Sequence, residues 1–123
     1  MEQSITTSTP HVSRGRLDEI GMGDPAFTAE LIDIMLEDGA TRIQKIRAAC
    51  QAGFQDEVGK LAHSLKGAAL NVGALSLANM CAAIDEAVRK HGTPCTGDQV
   101  ATLAQEFADV SHELMLIKSE LSA

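Results

Sequence analysis

Apolar residues recur at helical spacing along most of this chain, and the clearest repeat lies near its C-terminal end. Its positions alternate steps of three and four, which places the side chains on one face of an α-helix. The repeat predicts a final helix of about six turns with that face toward a core. Its members are Val100, Leu103, Phe107, Val110, Leu114, Ile117 and Leu121.

The first long helix is predicted to begin at Asp24-Pro25. Asp accepts hydrogen bonds from the first helical turn, and Pro fits the first helical position. We expect this helix to run to about Gln51, with a possible bend at Glu37-Asp38-Gly39, where its apolar stripe is interrupted. The predicted stripe consists of Phe27, Leu31, Ile34, Ile43, Ile46 and Cys50.

Two more helices are predicted between these, over residues 54–71 and 75–90, with a turn at Gly73. His91-Gly92 followed by Pro94 is a typical signal for the end of a helix. No stretch of the sequence shows strand periodicity. Four amphipathic helices with short connections predict an all-α fold, an antiparallel four-helix bundle.

The N-terminal region differs from the rest of the chain in its pattern. Residues 1–14 are rich in Ser and Thr and lack periodicity, so we expect a mobile tail there. Leu17 and Ile20 would lie on a short additional N-terminal helix. Residues 15–123 are then predicted to form a single domain, in keeping with a chain of 123 residues.

Composition and charge exclude several classes of function. The chain has three Phe, no Tyr, no Trp and a net charge of -7. It has no basic cluster either, and nucleic-acid binding depends on neutralising phosphates, so a nucleic-acid partner is not expected. The uncharged run 67–84 contains Gly73 and is interpreted as parts of two buried helices, not as a membrane span.

The cysteines indicate a reducing compartment. Cys50, Cys81 and Cys95 form no CxxC pair and are odd in number, as is typical of free thiols in a cytoplasmic protein. Cys50 and Cys81 fall on apolar stripes and are expected in the core. Cys95 is predicted to lie in a loop, where it could be reactive.

His63 is the first candidate for chemistry. On a helical wheel with about 100° per residue, it is predicted to lie opposite the buried stripe of its helix. This position favours an exposed histidine over a core histidine, although an exposed histidine can also be merely solvated. The stripe that defines the buried side consists of Phe54, Val58, Leu61, Leu65, Ala68 and Val72.

Glycines lie four residues before and four residues after His63. Gly in a helix interior costs about 1 kcal/mol relative to Ala. Gly59 and Gly67 therefore favour a functional explanation, which is open space for a bulky partner to reach the imidazole. The alternative is that both glycines are tolerated without a function.

The remaining neighbours of His63 indicate an anion site. Lys60 and Lys66 lie on either side of it and would attract an anion. Leu70 shares the exposed face and could anchor a docked partner. Because a neutral imidazole nitrogen is a competent nucleophile near pH 7, this setting predicts a phosphoryl group carried on His63.

At these residues the chain resembles histidine-containing phosphotransfer (HPt) domains. The similar segment is Ala62-His63-Ser64-Leu65-Lys66-Gly67-Ala68-Ala69, followed by Val72-Gly73-Ala74, and the resemblance extends over roughly residues 24–92. It implies a four-helix bundle in which His63 accepts the phosphoryl group. Lys66 would stabilise its charge, and Gly67 would let the partner approach closely. The roles of Gly59, Lys60 and Leu70 as partner-binding residues come from the helical wheel alone.

The resemblance also implies partners and a pathway. The histidine of such a domain takes the phosphoryl group from an aspartyl phosphate on one receiver domain and passes it to another. We expect the receivers to belong to a hybrid histidine kinase and a downstream response regulator. Magnesium should be bound by the receiver and no metal by this chain. No ATP-binding glycine loop occurs, so neither ATP binding nor self-phosphorylation is expected. The chain is predicted to be a monomeric, cytoplasmic phosphocarrier.

Two alternatives compete with this prediction. A non-phosphorylated helical adaptor would bind receiver domains or other partners through Leu70, but it would not need His63, Lys66 and Gly67. A metal-binding bundle would need several inward ligands, and no Glu-x-x-His pair occurs. The other histidines, His11, His91 and His112, lack a lysine and glycine setting.

Overall fold

Five α-helices follow one another along residues 10–122, the part of the chain that the computed structural model describes, and no strand occurs there. The helices α2 to α5 form a ring in which each contacts the next and α5 contacts α2. The short α1 packs on α2. The predicted antiparallel four-helix bundle with an additional N-terminal helix is thus confirmed. The bounds are α1 (Arg14–Ile20), α2 (Pro25–Ala52), α3 (Gln55–Leu70), α4 (Leu75–His91) and α5 (Gly97–Leu121).

Local sequence signals set the helix ends, as predicted for Asp24-Pro25. The side chain of Asp24 accepts hydrogen bonds from the backbone amides of Ala26 and Phe27 at 3.0 and 3.2 Å. Gly53 ends α2 in a left-handed conformation with φ 79°. Thr96 and Gln99 form a reciprocal capping box at the start of α5. Each of these contacts satisfies backbone groups that a helix end leaves unpaired.

The buried face of α2 agrees with the prediction at Ile43 and Ile46 but is displaced by one residue at the other predicted positions. Ile34 is 57 % exposed, and Phe27 and Leu31 are only half-buried. The true stripe advances without a break in steps of three and four, and it includes Thr28 and Gly39, which are not large apolar residues. Its members are Thr28, Ile32, Met35, Gly39, Ile43, Ile46 and Ala49.

Gly39 is therefore a core position and not an interruption of the helix. A Cβ atom at Gly39 would lie 2.3 Å from Cε1 of Phe107, so the aromatic ring occupies the space that a side chain would need. The absence of a side chain lets the Phe107 ring of α5 lie directly against the α2 backbone. The helix α2 continues through this residue to Ala52.

The N-terminal boundary of the domain lies earlier than predicted. Val12 is 3 % exposed, and the backbone amide of Ser13 donates to the carbonyl of Gly73 at 2.8 Å. The backbone amides of His11 and Val12 donate to the Glu113 carboxylate. The prediction of a mobile tail is wrong for residues 11–14, because an anchored backbone and a buried Val hold them on the bundle. The rest of the predicted tail, residues 1–9, lies outside the described residues.

The predicted face of α5 is confirmed. Its stripe is buried from Val100 to Ile117, and Leu121 is half-buried. The stripe also contains one charged residue, Glu106, which is only 7 % exposed. None of the helices along residues 10–122 is both long enough and apolar enough to cross a membrane.

Candidate functional site

His63 lies on α3 with a side chain that is 64 % exposed, so the prediction of an exposed histidine is confirmed. It does not lie opposite the core, however. Small residues extend the buried face of α3 toward His63, since Gly59, Ala62 and Ala69 are all buried. Phe54, which was assigned to the buried stripe, is 65 % exposed. The core face is rotated toward α4, and His63 borders the seam between α3 and α4.

Across this seam, His63 contacts a carboxylate. Nδ1 of His63 lies 3.2 Å from Oδ2 of Asp85 on α4. The other oxygen of Asp85 accepts a short hydrogen bond from Nε of Arg89, one turn further along the same helix. The hydrogen bond from Arg89, helped by the one from His63, lowers the pKa of Asp85 below its ordinary value. The carboxylate thus stays ionised beside the imidazole at neutral pH.

The carboxylate determines which nitrogen of His63 is available. An ionised carboxylate only accepts hydrogen bonds, so Nδ1 of His63 must carry the proton that it donates to Asp85. In the neutral ring the lone pair is then on Nε2. An exposed imidazole held in this tautomer can act as a nucleophile through Nε2.

The two glycines near His63 have different surroundings. Among residues 10–122, nothing lies within 4 Å of a Cβ atom at Gly67, which is exposed, so the space beside this residue is open. At Gly59 the same atom would lie 2.7 Å from Cγ of Arg89. The prediction that Gly59 opens a path for a partner is wrong, because this glycine is buried beneath the stem of Arg89.

The two lysines lie on different sides of His63. Lys66 is half-buried and lines a cleft between α3 and α4. Lys60 is exposed, lies about 120° from Lys66 around the helix axis and does not line this cleft. Within residues 10–122, neither lysine is paired with a carboxylate, so each ammonium remains available for an anion. The cleft is lined by Lys66, Ala82, Asp85, Glu86, Arg89 and Lys90.

A groove between α2 and α3 adjoins the open side at Gly67. Its wall includes Ile34, and Leu70 nearby is 36 % exposed. Nε of Arg42, from α2, donates to the hydroxyl of Ser64 at 2.9 Å and so fixes one end of the groove. The groove is lined by Leu31, Ile34, Met35, Asp38, Arg42, Ser64, Gly67, Ala68, Asn71 and Val72.

The cysteines are not part of this site. Cys81 is buried as expected, and burial raises the pKa of its thiol to about 12. Cys95 lies in a loop but is only 5 % exposed, and burial raises the pKa of its thiol to about 11. The expectation of a reactive Cys95 is wrong, because a buried thiol with a raised pKa is rarely present as the nucleophilic thiolate.

Sequence reasoning missed two residues of the site, Asp85 and Arg89. Their spacing of four residues on one helix is a signal for an ion pair, but it does not show that the pair reaches His63. It also missed the surroundings of His11, whose imidazole lies close to Glu106 and Asp109. This group is separate from the residues that surround His63.

A family model, that of the Hpt domain, matches residues 30–113 of the chain. The chain belongs to the Hpt domain family. The matched range holds all the residues of the site around His63, and the resemblance inferred from the sequence is confirmed. The chain is therefore a histidine phosphotransfer protein in the general sense.

A solved structure supports the same assignment of the Hpt domain. Histidine-containing phosphotransfer protein B (HptB) from Pseudomonas aeruginosa PAO1 is 29 % identical to this chain, with a TM-score of 0.80. The similarity covers 94 % of this chain and 97 % of that one. No curated protein matches the sequence. Hpt domains are phosphocarriers, not kinases, and they interact with receiver domains in phosphorelays.

Proposed function

We propose that this Hpt domain carries a phosphoryl group on Nε2 of His63 between aspartates of receiver domains in a multistep two-component phosphorelay. The observation that carries the proposal is the exposed imidazole of His63, held at Nδ1 by Asp85 at 3.2 Å within the family-matched range. This contact leaves Nε2 directed away from Asp85, as an incoming phosphoryl group requires.

The reaction is a transfer between two nucleophiles. The lone pair of Nε2 forms a bond to phosphorus while the bond between phosphorus and the receiver aspartate breaks, and that aspartate leaves as a carboxylate. With Nδ1 still protonated, the phosphorylated ring carries a positive charge, which the Asp85 carboxylate stabilises. Positioning and charge stabilisation supply most of the catalysis in phosphoryl transfer.

Each remaining residue has a distinct role in this mechanism. Lys66 neutralises the oxygens of the phosphoryl group from the α3–α4 side. Arg89 holds Asp85 in place and balances its charge before transfer. Gly67 leaves open space for the active site of the receiver. Magnesium is supplied by the receiver, and this chain neither binds ATP nor phosphorylates itself.

The groove between α2 and α3 is the docking surface for the receiver in this proposal. It joins the open space at Gly67 to the exposed apolar side chain of Ile34. Leu70, about one helical turn beyond Gly67, is also partly exposed, and such apolar side chains suit a partner with an apolar patch. Lys60 and Arg42 would contact acidic groups at its edge. The partners would be the receivers of a hybrid histidine kinase and of a downstream regulator, in the cytoplasm, with this chain as a monomer.

The test is transfer of labelled phosphate from a phosphorylated receiver to wild type, His63→Gln and His112→Gln. His112 is a matched control because it is also an exposed helical histidine. We expect acid-labile, base-stable label on wild type and on the control, and none on His63→Gln. If several active receivers bind the wild type but leave it unlabelled, the relay is refuted and the adaptor becomes the better explanation.

A further inference from the structure

Residues 11–13 connect helix α5 to the turn between α3 and α4. The amides of His11 and Val12 donate to the Glu113 carboxylate on α5, at 2.9 Å for His11 Nα to Oε2 and 3.0 Å for Val12 Nα to Oε1. The Ser13 amide donates to the carbonyl of Gly73, in the turn that follows α3. The backbone of this segment therefore ties α5 to the α3–α4 turn.

The imidazole of His11 lies among three carboxylates. Its Nδ1 is 2.8 Å from Oε2 of Glu106, while Nε2 is 3.7 Å from Asp109 and 4.0 Å from Glu113. Glu106 is 7 % exposed, and His11 is its partner within the described residues. Burial of an ionised carboxylate is unfavourable unless a cation compensates its charge. The stability of this arrangement therefore depends strongly on whether the His11 imidazole is charged.

Among residues 10–122, no other basic side chain lies within 4.0 Å of the carboxylates of Glu106, Asp109 or Glu113. Arg14 is engaged with Asp18 and Glu120, at 3.4 and 3.1 Å. The α3–α4 turn, residues 71–74, contains no titratable side chain. Loss of the proton from His11 would leave three carboxylates facing a neutral ring.

We propose that residues 11–13 form a proton-dependent clasp, which is closed when the His11 imidazole is protonated and loosened when it is neutral. The proposal does not depend on phosphotransfer at His63. A proton released from His11 goes to solvent, and the clasp opens so that water can reach Glu106.

The direction of the pH dependence follows from the pKa of His11. The hydrogen bond to Glu106 raises this pKa, desolvation opposes the increase, and the charges of Glu106, Glu113 and Asp109 add to it. A raised pKa means that the closed clasp binds the proton more tightly than the open one. Closure is fully supported below the ordinary histidine value of about 6.5, and the support is lost as pH rises through the raised pKa.

The test is the hydrogen-exchange protection of the His11 and Val12 amides in the full chain, between about pH 5.5 and about pH 9. EDTA is present so that no divalent cation replaces the proton, and protection factors correct for the intrinsic pH dependence of exchange. An NMR titration of the His11 ring gives its pKa independently. We expect the wild-type protection factors to fall as pH rises. The total decrease should equal the acid dissociation constant of the His11 ring in the open state divided by that in the closed state.

Three variants make the result decisive. His11→Gln should show weak protection that does not vary with pH, and His112→Gln should match the wild type. Glu106→Gln should return the pKa of His11 toward its ordinary value and reduce the change in protection. The clasp is refuted if wild-type protection stays constant while the NMR signal shows that His11 loses its proton. It is also refuted if either His11→Gln or Glu106→Gln keeps the full wild-type pH dependence.

Discussion

Nδ1 of His63 on α3 and Oδ2 of Asp85 on α4 lie 3.2 Å apart, and this pair spans the interface between the two helices. The contact orients the imidazole from a helix other than its own. It also places a negative charge where a phosphorylated ring would become positive. The orientation and the charge of Asp85 can be separated by substitution.

Asp85→Ala should slow phosphoryl transfer to His63 by about 10- to 100-fold, because the ring loses both its orientation and its counter-charge. The transfer rate of Asp85→Asn should lie between those of Asp85→Ala and the wild type, since an amide oxygen still accepts a hydrogen bond from Nδ1 but carries no charge. Single-turnover transfer rates at a saturating receiver concentration measure the effect. Equal rates for all three proteins would contradict the role of Asp85.

The charge state of Asp85 also predicts a pH dependence of stability. Its pKa is lowered in the folded protein, so the ionised carboxylate contributes stability above the ordinary Asp value of about 3.9. This contribution is lost as pH falls through the lowered pKa. Urea unfolding should therefore show Asp85→Asn to be less stable than wild type near neutral pH, with the difference shrinking in acid. A stability difference that grows in acid would contradict a lowered pKa of Asp85 in the folded protein.

Lys66 and Lys60 provide a matched pair for the charge role. Lys66→Ala should slow transfer by about 10- to 100-fold, because its ammonium lies in the same cleft as Asp85. Lys60→Ala, on the other side of His63, should change the rate by less than about threefold at saturating receiver and act mainly on its salt-dependent binding. Rates and receiver affinities measured at two ionic strengths test the distinction. Equal losses of rate in the two variants would show that the contribution of a lysine to transfer does not depend on which side of His63 it occupies.

Gly67→Ala should increase stability while reducing function. No atom of the described residues lies within 4 Å of the added Cβ, so the fold should gain about 1 kcal/mol from the better helix former. The same methyl group occupies the space assigned to the receiver and should weaken docking.

Gly59→Ala is the control for Gly67→Ala, because its Cβ would meet the Arg89 stem instead of a partner. It should gain less stability and leave receiver affinity unchanged. Urea unfolding and binding titrations separate the two effects. Unchanged receiver affinity in Gly67→Ala would remove the argument for close approach at this residue.

Gly39→Ala should destabilise the bundle by about 1–2 kcal/mol, since overpacking against the Phe107 ring outweighs the gain in helix propensity. Phe107→Leu in the same chain should recover part of the loss by making room for the methyl group. Urea unfolding of the two single variants and the double variant gives the coupling. Strict additivity would show that the two residues do not compete for space.

The sequence predicted those features that depend on local patterns. The helix start at Asp24 and the exposure of His63 follow from capping chemistry and helical periodicity, which act within a few residues. The buried face of α2 was harder to predict, because Thr28 and Gly39 are core residues that hydrophobicity does not reveal. Gly39 is in the core only because Phe107 fills its space from another helix.

The residues of the site that the sequence did not reveal were missed for the same reason. Asp85 reaches His63 across the α3–α4 interface, where Gly59 is buried against the Arg89 side chain and the buried Ala62 and Ala69 extend the core face of α3. Periodicity weights large apolar residues and places this face too far from α4. The docked position of His11 also depends on a distant residue, Glu113, so no local pattern could reveal it.

The contact between His63 and Asp85 has a consequence for protein design. The nucleophile and its support lie on opposite arms of one helical hairpin, residues 55–91, joined by a turn in which Gly73 has φ 72°. Grafting the His63 helix alone onto another scaffold would transfer the imidazole without its tautomer control. The smallest module that preserves this chemistry is the whole hairpin, with the small residues that set the distance between its arms.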